Sequence, residues 1–403
     1  MKMLYVYIGG GKTHSSVQAK IISKIRFFND HGLETKGAFF SRSVENDFVV
    51  NEQITLYPVR KSKKKYFQGI YNQKSAITTA VDHVRSFEKD YNVIYVRYPG
   101  ASYWLYKGLK DLGDKIVFEH NTKELDEIIM RSEDNPFGWS PSKLLSWLQE
   151  NRYKTWSESK WAPKILKRVK LGLANTNEIV KYQIDRADGK YHCELITNGV
   201  DLNKIPLRDP IDFDGENLTL FLMRGAKGYV PYDGTDRLLN GIAQYKGKVK
   251  IKLYFIGSSF EEEYKMVDAL NLKSQVFFTG KLIGDELTEL LKTCHISIGT
   301  LAIHRKNQSE GSVLRVNESL ARGIPVIVAY EDMELNSDPA FVPFYLKLPA
   351  NDSVIDAQEI CDFAQRVYSI KDNHISIREL ARKNIDYSIK IKQSIDYIKA
   401  SFN

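Results

Sequence analysis

The feature that most constrains this chain is a repeated exchange between two hydrophobic periods. Short, near-continuous apolar runs alternate with stretches whose apolar residues recur at helical spacing. Residues 4–8 form such a run, and residues 15–31 after it set Val17, Ile21, Ile22, Ile25 and Phe28 on one helical face before Gly32. Residues 93–96, 115–118, 171–174, 218–222, 253–256, 276–278, 296–298 and 325–329 repeat the apolar run. Continuous apolar strands suit sheets covered on both faces, and helices between them supply the crossovers of parallel strands. The expectation is an α/β chain.

Its 403 residues suit two medium domains. Pro206, Asp209, Pro210, Asp212, Asp214 and Gly215 crowd between two apolar runs, which places a boundary between Val200 and Asn217. Residues 1–200 and 201–384 are the expected domains, with a helical 385–403 packing back on the first. An apolar fraction of 43% with 27% charged residues is that of an ordinary folded chain. No window of about 18 uncharged apolar residues is long enough for a bilayer. The apolar N-terminus runs straight into Gly9-Gly10-Gly11, which is too short for a signal peptide. Cys193, Cys294 and Cys361 form no CxxC pair, as expected of a reducing, cytoplasmic compartment.

The charge is uneven. Residues 1–200 hold 32 Lys and Arg against 22 Asp and Glu, a net of +10, and the remainder holds 26 against 28, a net of −2. Residues 60–65 followed by Tyr66 and Phe67, and residues 154–170, are the main basic clusters. Cations beside aromatic side chains suit an anionic membrane surface. A solvated face is the other reading. No zinc finger, RRM or helix-turn-helix signature points to nucleic acid.

Gly11-Lys12-Thr13 ends like a phosphate loop, but the first glycine of G-x-x-x-x-G-K-[ST] would have to be residue 6, which is Val6. A glycine turn between strand and helix remains, with backbone N–H groups able to face a phosphate or sugar. Asp212-Phe213-Asp214 has the D-x-D spacing of a metal-diphosphate clamp, yet it falls in the linker. The eight histidines make no ligand pair and no G-x-S-x-G elbow occurs. No metal is expected.

The most specific signal is Glu310 and Glu318, eight positions apart, between a glycine turn and Gly323-Ile324-Pro325-Val326. In a helix that spacing spans about 12 Å. A helix starting near Ser312 would turn its free N–H groups toward Glu310, making a diphosphate seat flanked by carboxylates. Carboxylates suit sugar hydroxyls because each oxygen accepts two hydrogen bonds.

In these residues the chain resembles the family-4 retaining glycosyltransferases of the GT-B fold. Their hallmark is E-x7-E followed by an A-x-G-x-P-V strand. Ile8 to Gly11, Glu119-His120, residues 196–201 (ITNGVD), Phe255-Ile256-Gly257 and Phe278-Thr279-Gly280 are similar to further family segments, so the resemblance covers most of the chain. The run from His304 to Glu318, with Tyr330 and Asp332 after it, is similar to bacterial members of surface-polysaccharide synthesis.

The resemblance implies two Rossmann-like, doubly wound domains facing each other across a cleft. It implies transfer of a hexosyl group, with retention and without a metal, from a nucleotide-diphosphate sugar to a hydroxyl of a glycan or lipid-linked acceptor. Glu310, His120 and Arg224 would be catalytic. Gly10, Gly11, Lys227, Gly311, Ser312, Val313, Leu314, Arg315 and Glu318 would bind the donor. The acceptor would sit on the first domain, at the inner face of the cell membrane. Where the family has a lysine before a glycine, this chain has Asp233 before Gly234. An aspartate cannot neutralise a diphosphate, so Lys227 or Arg315 would have to substitute. A catalytically silent GT-B sugar- or lipid-binding protein, and a GT-B nucleotide-sugar epimerase, are the alternatives.

Overall fold

The computed structural model describes residues 1–9, 11, 16–63, 67–133, 141–225 and 230–402. The chain divides into two compact units, one of Met1–Ile196 with Lys390–Asn403 and one of Thr197–Ile389. The division falls ahead of the proline-rich segment. Val200 donates to the Ile385 carbonyl at 3.0 Å and accepts from the Tyr387 N–H at 3.0 Å, which binds residues 197–215 to the second unit.

The first unit is built on an eight-stranded sheet with helices between its strands. In chain order these are β1 (Lys2–Ile8), α1 (Ser16–Asp30), β2 (Glu34–Ser41), β3 (Phe48–Asn51), β4 (Ile54–Pro58), α2 (Gln68–Ser86), β5 (Val93–Arg97) and α3 (Tyr103–Gly108). Then follow β6 (Ile116–His120), α4 (Glu124–Glu133), α5 (Pro141–Leu166), β7 (Leu171–Ala174), α6 (Asn177–Asp185) and β8 (Cys193–Leu195). The strand order is β3-β4-β2-β1-β5-β6-β7-β8. Pairing is parallel throughout except between β3 and β4. The order therefore reverses between β1 and β5.

The second unit holds β9 (Asn217–Arg224), α7 (Thr235–Gln244), β10 (Lys250–Gly257), α8 (Glu261–Ala269), β11 (Val276–Gly280), α9 (Gly284–Leu291) and β12 (Ile296–Ile298). It continues through β13 (Glu310–Gly311), α10 (Leu314–Ala321), β14 (Val326–Val328), β15 (Glu331–Asp332), β16 (Tyr345–Lys347), α11 (Ala357–Tyr368) and α12 (Asn373–Asn384). Its parallel sheet runs β11-β10-β9-β12-β14-β16 and reverses between β9 and β12. A final helix, α13 (Tyr387–Phe402), carries the chain back to the first unit, where Ile391, Ile395 and Ile398 are buried. The α/β reading holds. Among the described residues no helix is long and apolar enough to cross a membrane.

The apolar runs become central strands because both of their faces are covered. Leu218, Leu220, Phe221 and Leu222 of β9, and Val326, Ile327 and Val328 of β14, are fully buried. Two glycines that end neighbouring strands have different reasons to be glycine. Gly257 lies at φ +106° and a Cβ there would run into the Arg224 carbonyl, whereas Gly280, at φ +69°, has open space around it.

Gly280→Ala should therefore cost about 1–2 kcal/mol, the left-handed backbone term alone. Gly257→Ala should cost more, because the backbone cannot swing away as a side chain can. The ordering is measured by chemical denaturation of both variants, and equal midpoints would contradict the collision at Gly257.

Candidate functional site

Open parallel sheets take ligands outside the carboxyl ends of their strands, where strand order reverses. In the second unit that point is the end of β9, and its last residue is Arg224. The guanidinium is buried, with Nη1 donating to Glu263 Oε1 at 2.6 Å and Nε 3.6 Å from Asp233 Oδ2. It stands over the rings of Phe255 and Phe260, at 5.0 and 5.6 Å. Glu263 also accepts from the Thr235 hydroxyl at 3.1 Å.

Asp233 reaches a second arginine through its other oxygen. Arg315 Nη2 donates to Asp233 Oδ1 at 2.6 Å and to the Thr300 hydroxyl at 2.9 Å. Desolvation alone would lower the pKa of Arg315, but the Asp233 carboxylate outweighs it and raises the value. Glu263, Arg224, Asp233 and Arg315 thus form one buried chain of alternating charge. Among the described residues, Nε and Nη2 of Arg224 and Nε of Arg315 have no hydrogen-bond partner. The backbone of this turn is fixed as well. The Asp233 carbonyl accepts from Leu301 N–H at 3.1 Å, and Gly234, at φ +67°, opens α7 where a Cβ would press on Leu301 and Ala302.

Glu310 sits in β13, a two-residue strand parallel to β15, where Glu310 pairs with Glu331 and Gly311 with Asp332. The turn expected around Glu310 is therefore a short strand, closed by Glu331 N–H to Ser309 and Met333 N–H to Gly311, both at 2.9 Å. Gly311 is a glycine because a Cβ would fall 2.6 Å from the Tyr330 ring. Asn198 then clamps the next residue. Its N–H donates to Ser312 Oγ at 2.8 Å, its side-chain amide to the Ser312 carbonyl at 2.5 Å, and its carbonyl accepts from Asn317 at 2.7 Å. Asn198 belongs to the ITNGVD segment, so that motif holds the loop that follows Glu310.

The helix starts at Leu314, two residues later than Ser312, with Val313 as an N-cap whose side chain makes no capping bond. Its first N–H groups thus lack a side-chain cap, and Glu318 lies on the exposed face of the same helix. Gly323 at φ +76° ends it. Asp332, beneath β13, accepts from the Glu334 and Leu335 N–H groups and from the Tyr330 hydroxyl. Burial, with Glu334 adding to it, pushes its carboxyl up to about 7.

In the first unit the adjacent Glu119 and His120 part company. Alternation along β6 sends them to opposite faces of the sheet. Glu119 meets Tyr5, Lys20, Lys24 and Arg97. His120 enters a separate network, with Nδ1 3.2 Å from Glu124, Nε2 3.1 Å from the Tyr191 hydroxyl and a fully buried side chain. Burial lowers its pKa against the pull of Glu124, so the ring is neutral at pH 7. Both ring nitrogens face partners inside the fold in this structure.

Asp214 caps the turn before β9, accepting from Glu216 N–H, Asn217 N–H and the Asn217 amide at 2.7–2.9 Å. Those bonds, the Asn217 side chain first, pull its carboxyl down to about 2. Thr219 N–H donates to His295 Nδ1 at 3.0 Å, so Nε2 carries the proton it shares with the Asp212 carbonyl at 3.3 Å. The D-x-D pair is a strand-entry turn, and among the described residues no group of three metal-ligating side chains occurs. Gly11 exchanges two 3.0 Å hydrogen bonds with the Gln18 side chain. Gly10 and Lys227 lie outside the described residues, as do Lys64, Lys65 and Tyr66.

Residues 211–334, which span Arg224, Asp233, Glu310 and Glu318, match the family model of glycosyl transferases group 1. No curated protein matches the sequence. Among solved structures, sucrose-phosphate synthase from Thermosynechococcus elongatus aligns with 100% of this chain and 99% of its own at 13% identity and a TM-score of 0.66. The Anabaena protein HepE in complex with UDP and glucose aligns with 99% of this chain and 100% of its own at 15% identity and a TM-score of 0.63. The lipopolysaccharide outer core galactosyltransferase WaaB covers 98% of this chain and 99% of its own at 14% identity and a TM-score of 0.63. At these identities the likeness is one of fold, and along the whole chain that fold is the GT-B fold of glycosyltransferases.

Proposed function

We propose that this chain is a retaining glycosyltransferase of the family-4 type. It moves a hexosyl group from a nucleotide-diphosphate sugar to a hydroxyl of a glycan or lipid-linked acceptor in surface-polysaccharide synthesis. The observation that carries the reading is the arrangement at α10. Glu310 is held on a two-residue strand directly ahead of a helix N-terminus that no side chain caps, and Glu318 stands on that helix. An uncapped N-terminus presents N–H groups and a positive dipole end to an anion. The amides after Gly311 would stabilise the leaving diphosphate. Glu310 would stabilise positive charge at the reacting sugar carbon, and Glu318 would accept from ribose hydroxyls. This is preorganised electrostatic catalysis.

The cations at the end of β9 and the start of α10 act differently from a free Arg–Lys pair. Arg224 and Arg315 are matched by Asp233 and Glu263, so the network brings donors to a diphosphate but little net charge. The unpartnered N–H groups of Arg224 would supply hydrogen bonds, and Lys227 the missing charge. The same balance favours one other reading, a silent GT-B sugar-binding protein. The two separate on nucleoside diphosphate release, which a transferase accelerates when acceptor is added.

Glu310→Gln should keep the fold and lose transfer by on the order of 10²–10³ in turnover. Turnover within twofold of the parent would remove Glu310 from the site. Glu318→Gln should instead raise the donor KM.

We read the mechanism as independent of a metal, because the Asp214 carboxylate of the D-x-D pair is taken up by a turn. Excess EDTA should leave transfer rates unchanged, and an activity lost to EDTA and restored by magnesium or manganese would reverse this assignment.

The first unit should dock on an anionic membrane at its inner, cytoplasmic face. Lys160 Nζ lies 4.8 Å over the Trp156 ring and 5.3 Å over Trp161, and Lys164 lies 5.2 Å over Trp161. Trp156 is half exposed, and amphipathic aromatic rings beside lysines suit the headgroup layer. Lys160→Gln with Lys164→Gln should weaken vesicle binding by ~2 kcal/mol at about 1 kcal/mol per cation. Co-sedimentation with anionic and neutral vesicles is the measurement, and equal binding to both would leave these lysines as a solvated face.

A further inference from the structure

Glu310 stands on a strand of two residues, which is too short to hold itself. β13 is tied to β15 by the Glu331 N–H donating to the Ser309 carbonyl and the Met333 N–H to the Gly311 carbonyl, both at 2.9 Å. Fixing a backbone residue costs about as much entropy as one net hydrogen bond returns, or more, so bonds of this kind leave so short a strand marginal. Its stiffness comes from what the strand lies on. Gly311, the neighbour of Glu310, lies against the buried Tyr330 ring, so close that a Cβ would fall 2.6 Å from it.

Tyr330 is held in turn by Asp332, the residue that pairs with Gly311 in the ladder. Asp332 Oδ2 accepts from the Tyr330 hydroxyl at 2.9 Å. Its Oδ1 accepts from Glu334 N–H at 3.0 Å and Leu335 N–H at 3.2 Å, which closes the turn from which Met333 reaches Gly311. These three donors lie within residues 330–335, so the carboxyl fixes both the ring and the partner strand on which β13 depends. Such a group is costly to keep. Asp332 is 1% exposed, and burial, with Glu334 adding to it, works against its charge. The Arg315 cation acts on the same Tyr330 hydroxyl, so the ring stands near the first turn of α10 as well as against β13.

We propose that Tyr330 and Asp332 are positioning residues for Glu310. The hydroxyl–carboxyl bond holds the ring against Gly311, and the ring fixes the place of β13 and of the glutamate it carries. That Glu310 acts on a sugar rests on the glycosyl-transfer reading; the hold on β13 does not.

The test has one arm without a sugar donor and one with it. In amide hydrogen exchange of the full chain, Tyr330→Phe should speed exchange at Glu331 and Met333 by about 10–100-fold, the effect of leaving a buried acceptor unmet. Val326–Val328 of β14 should keep the protection of the parent. Phenylalanine retains the ring against Gly311, so this variant keeps the packing. Asp332→Asn retains an acceptor for both N–H groups and a donor toward the Tyr330 hydroxyl, and it should stay nearer the parent than Asp332→Ala. Unchanged exchange at Glu331 and Met333 in Tyr330→Phe, equal acceleration in β14, or the reverse order of the Asp332 variants would overturn the hold on β13. In the second arm, with UDP-glucose as donor, Tyr330→Phe should lower turnover by about 10–100-fold and leave the donor KM unchanged, since misplacement of a reacting group costs rate more than binding. A residue that acts through Glu310 has nothing left to misplace once that carboxylate is gone. In a Glu310→Gln background Tyr330→Phe should therefore leave the residual turnover unchanged. Losses that multiply would make the role merely structural and overturn the positioning. A parent that transfers from no nucleotide-sugar would remove the glycosyl-transfer reading and the catalytic half of this proposal, and exchange would still decide the hold on β13.

Discussion

One carboxylate, Asp233, ties the second unit's site together. Through Oδ1 it holds Arg315 of α10, through Oδ2 it faces Arg224 of β9, and its carbonyl accepts from Leu301 beyond β12. A strand end, a helix and a loop are thus set relative to one another by a residue that is itself buried. Removing one partner of a buried ion pair typically costs about 3–5 kcal/mol, because the other charge is left uncompensated. Asp233 also explains how Arg224 at the end of β9 and Arg315 in the first turn of α10 can share one buried site. Without it they would repel, and neither guanidinium could keep the orientation that leaves N–H groups available. The aspartate at a position where the family resemblance implies a lysine therefore changes the site's electrostatics and not only its charge count.

The glycines around this network repeat the point at the level of the backbone. Gly257 is required because β10 passes against the Arg224 carbonyl, and Gly311 because the chain ahead of α10 lies on Tyr330. Asn198 makes its three bonds to Ser312 and Asn317 from a different part of the sequence. Around Glu310, positioning is thus done by main-chain contacts and amides, as a complement to the ion pairs of Asp233.

Much of this was legible in the sequence and some was not. The long apolar runs became central strands, since burial on both faces leaves only one composition open to them. β2, β3, β4 and β8 carried no such run. β2 holds Glu34, Thr35 and Lys36 before its buried Phe39 and Phe40, and β3 lies at an edge with mostly exposed residues. Edge and half-polar strands are specified by their neighbours more than by their own pattern. The glutamate spacing identified α10, but not that Glu310 would sit in a strand, because β13 exists only by pairing with residues 331–332 far along the chain. Glu119-His120 resembles a single family segment. Two-residue alternation divides it between opposite faces, so adjacency in sequence separated the two side chains instead of joining them.

The two reversal points of the fold solve the same electrostatic problem in different ways. At β9 and β12 the arginines are neutralised from within, by Asp233 and Glu263, so the protein is balanced before any ligand arrives. At β1 and β5 a single carboxylate meets three cations. The difference follows the uneven charge of the chain, +10 in residues 1–200 against −2 in the remainder. A balanced network contributes geometry, since its donors stay aimed whether or not an anion is bound. An unbalanced one leaves repulsion that the fold has to bear. Glu119 is already held well below the usual carboxylate range, so its negative charge is fully present at neutral pH and no further proton release there can offset the lysines. The relief comes from Lys20 instead: burial lowers it to about 7, with Lys24 and Arg97 adding to the effect, so the cluster sheds a positive charge as the pH rises through neutrality.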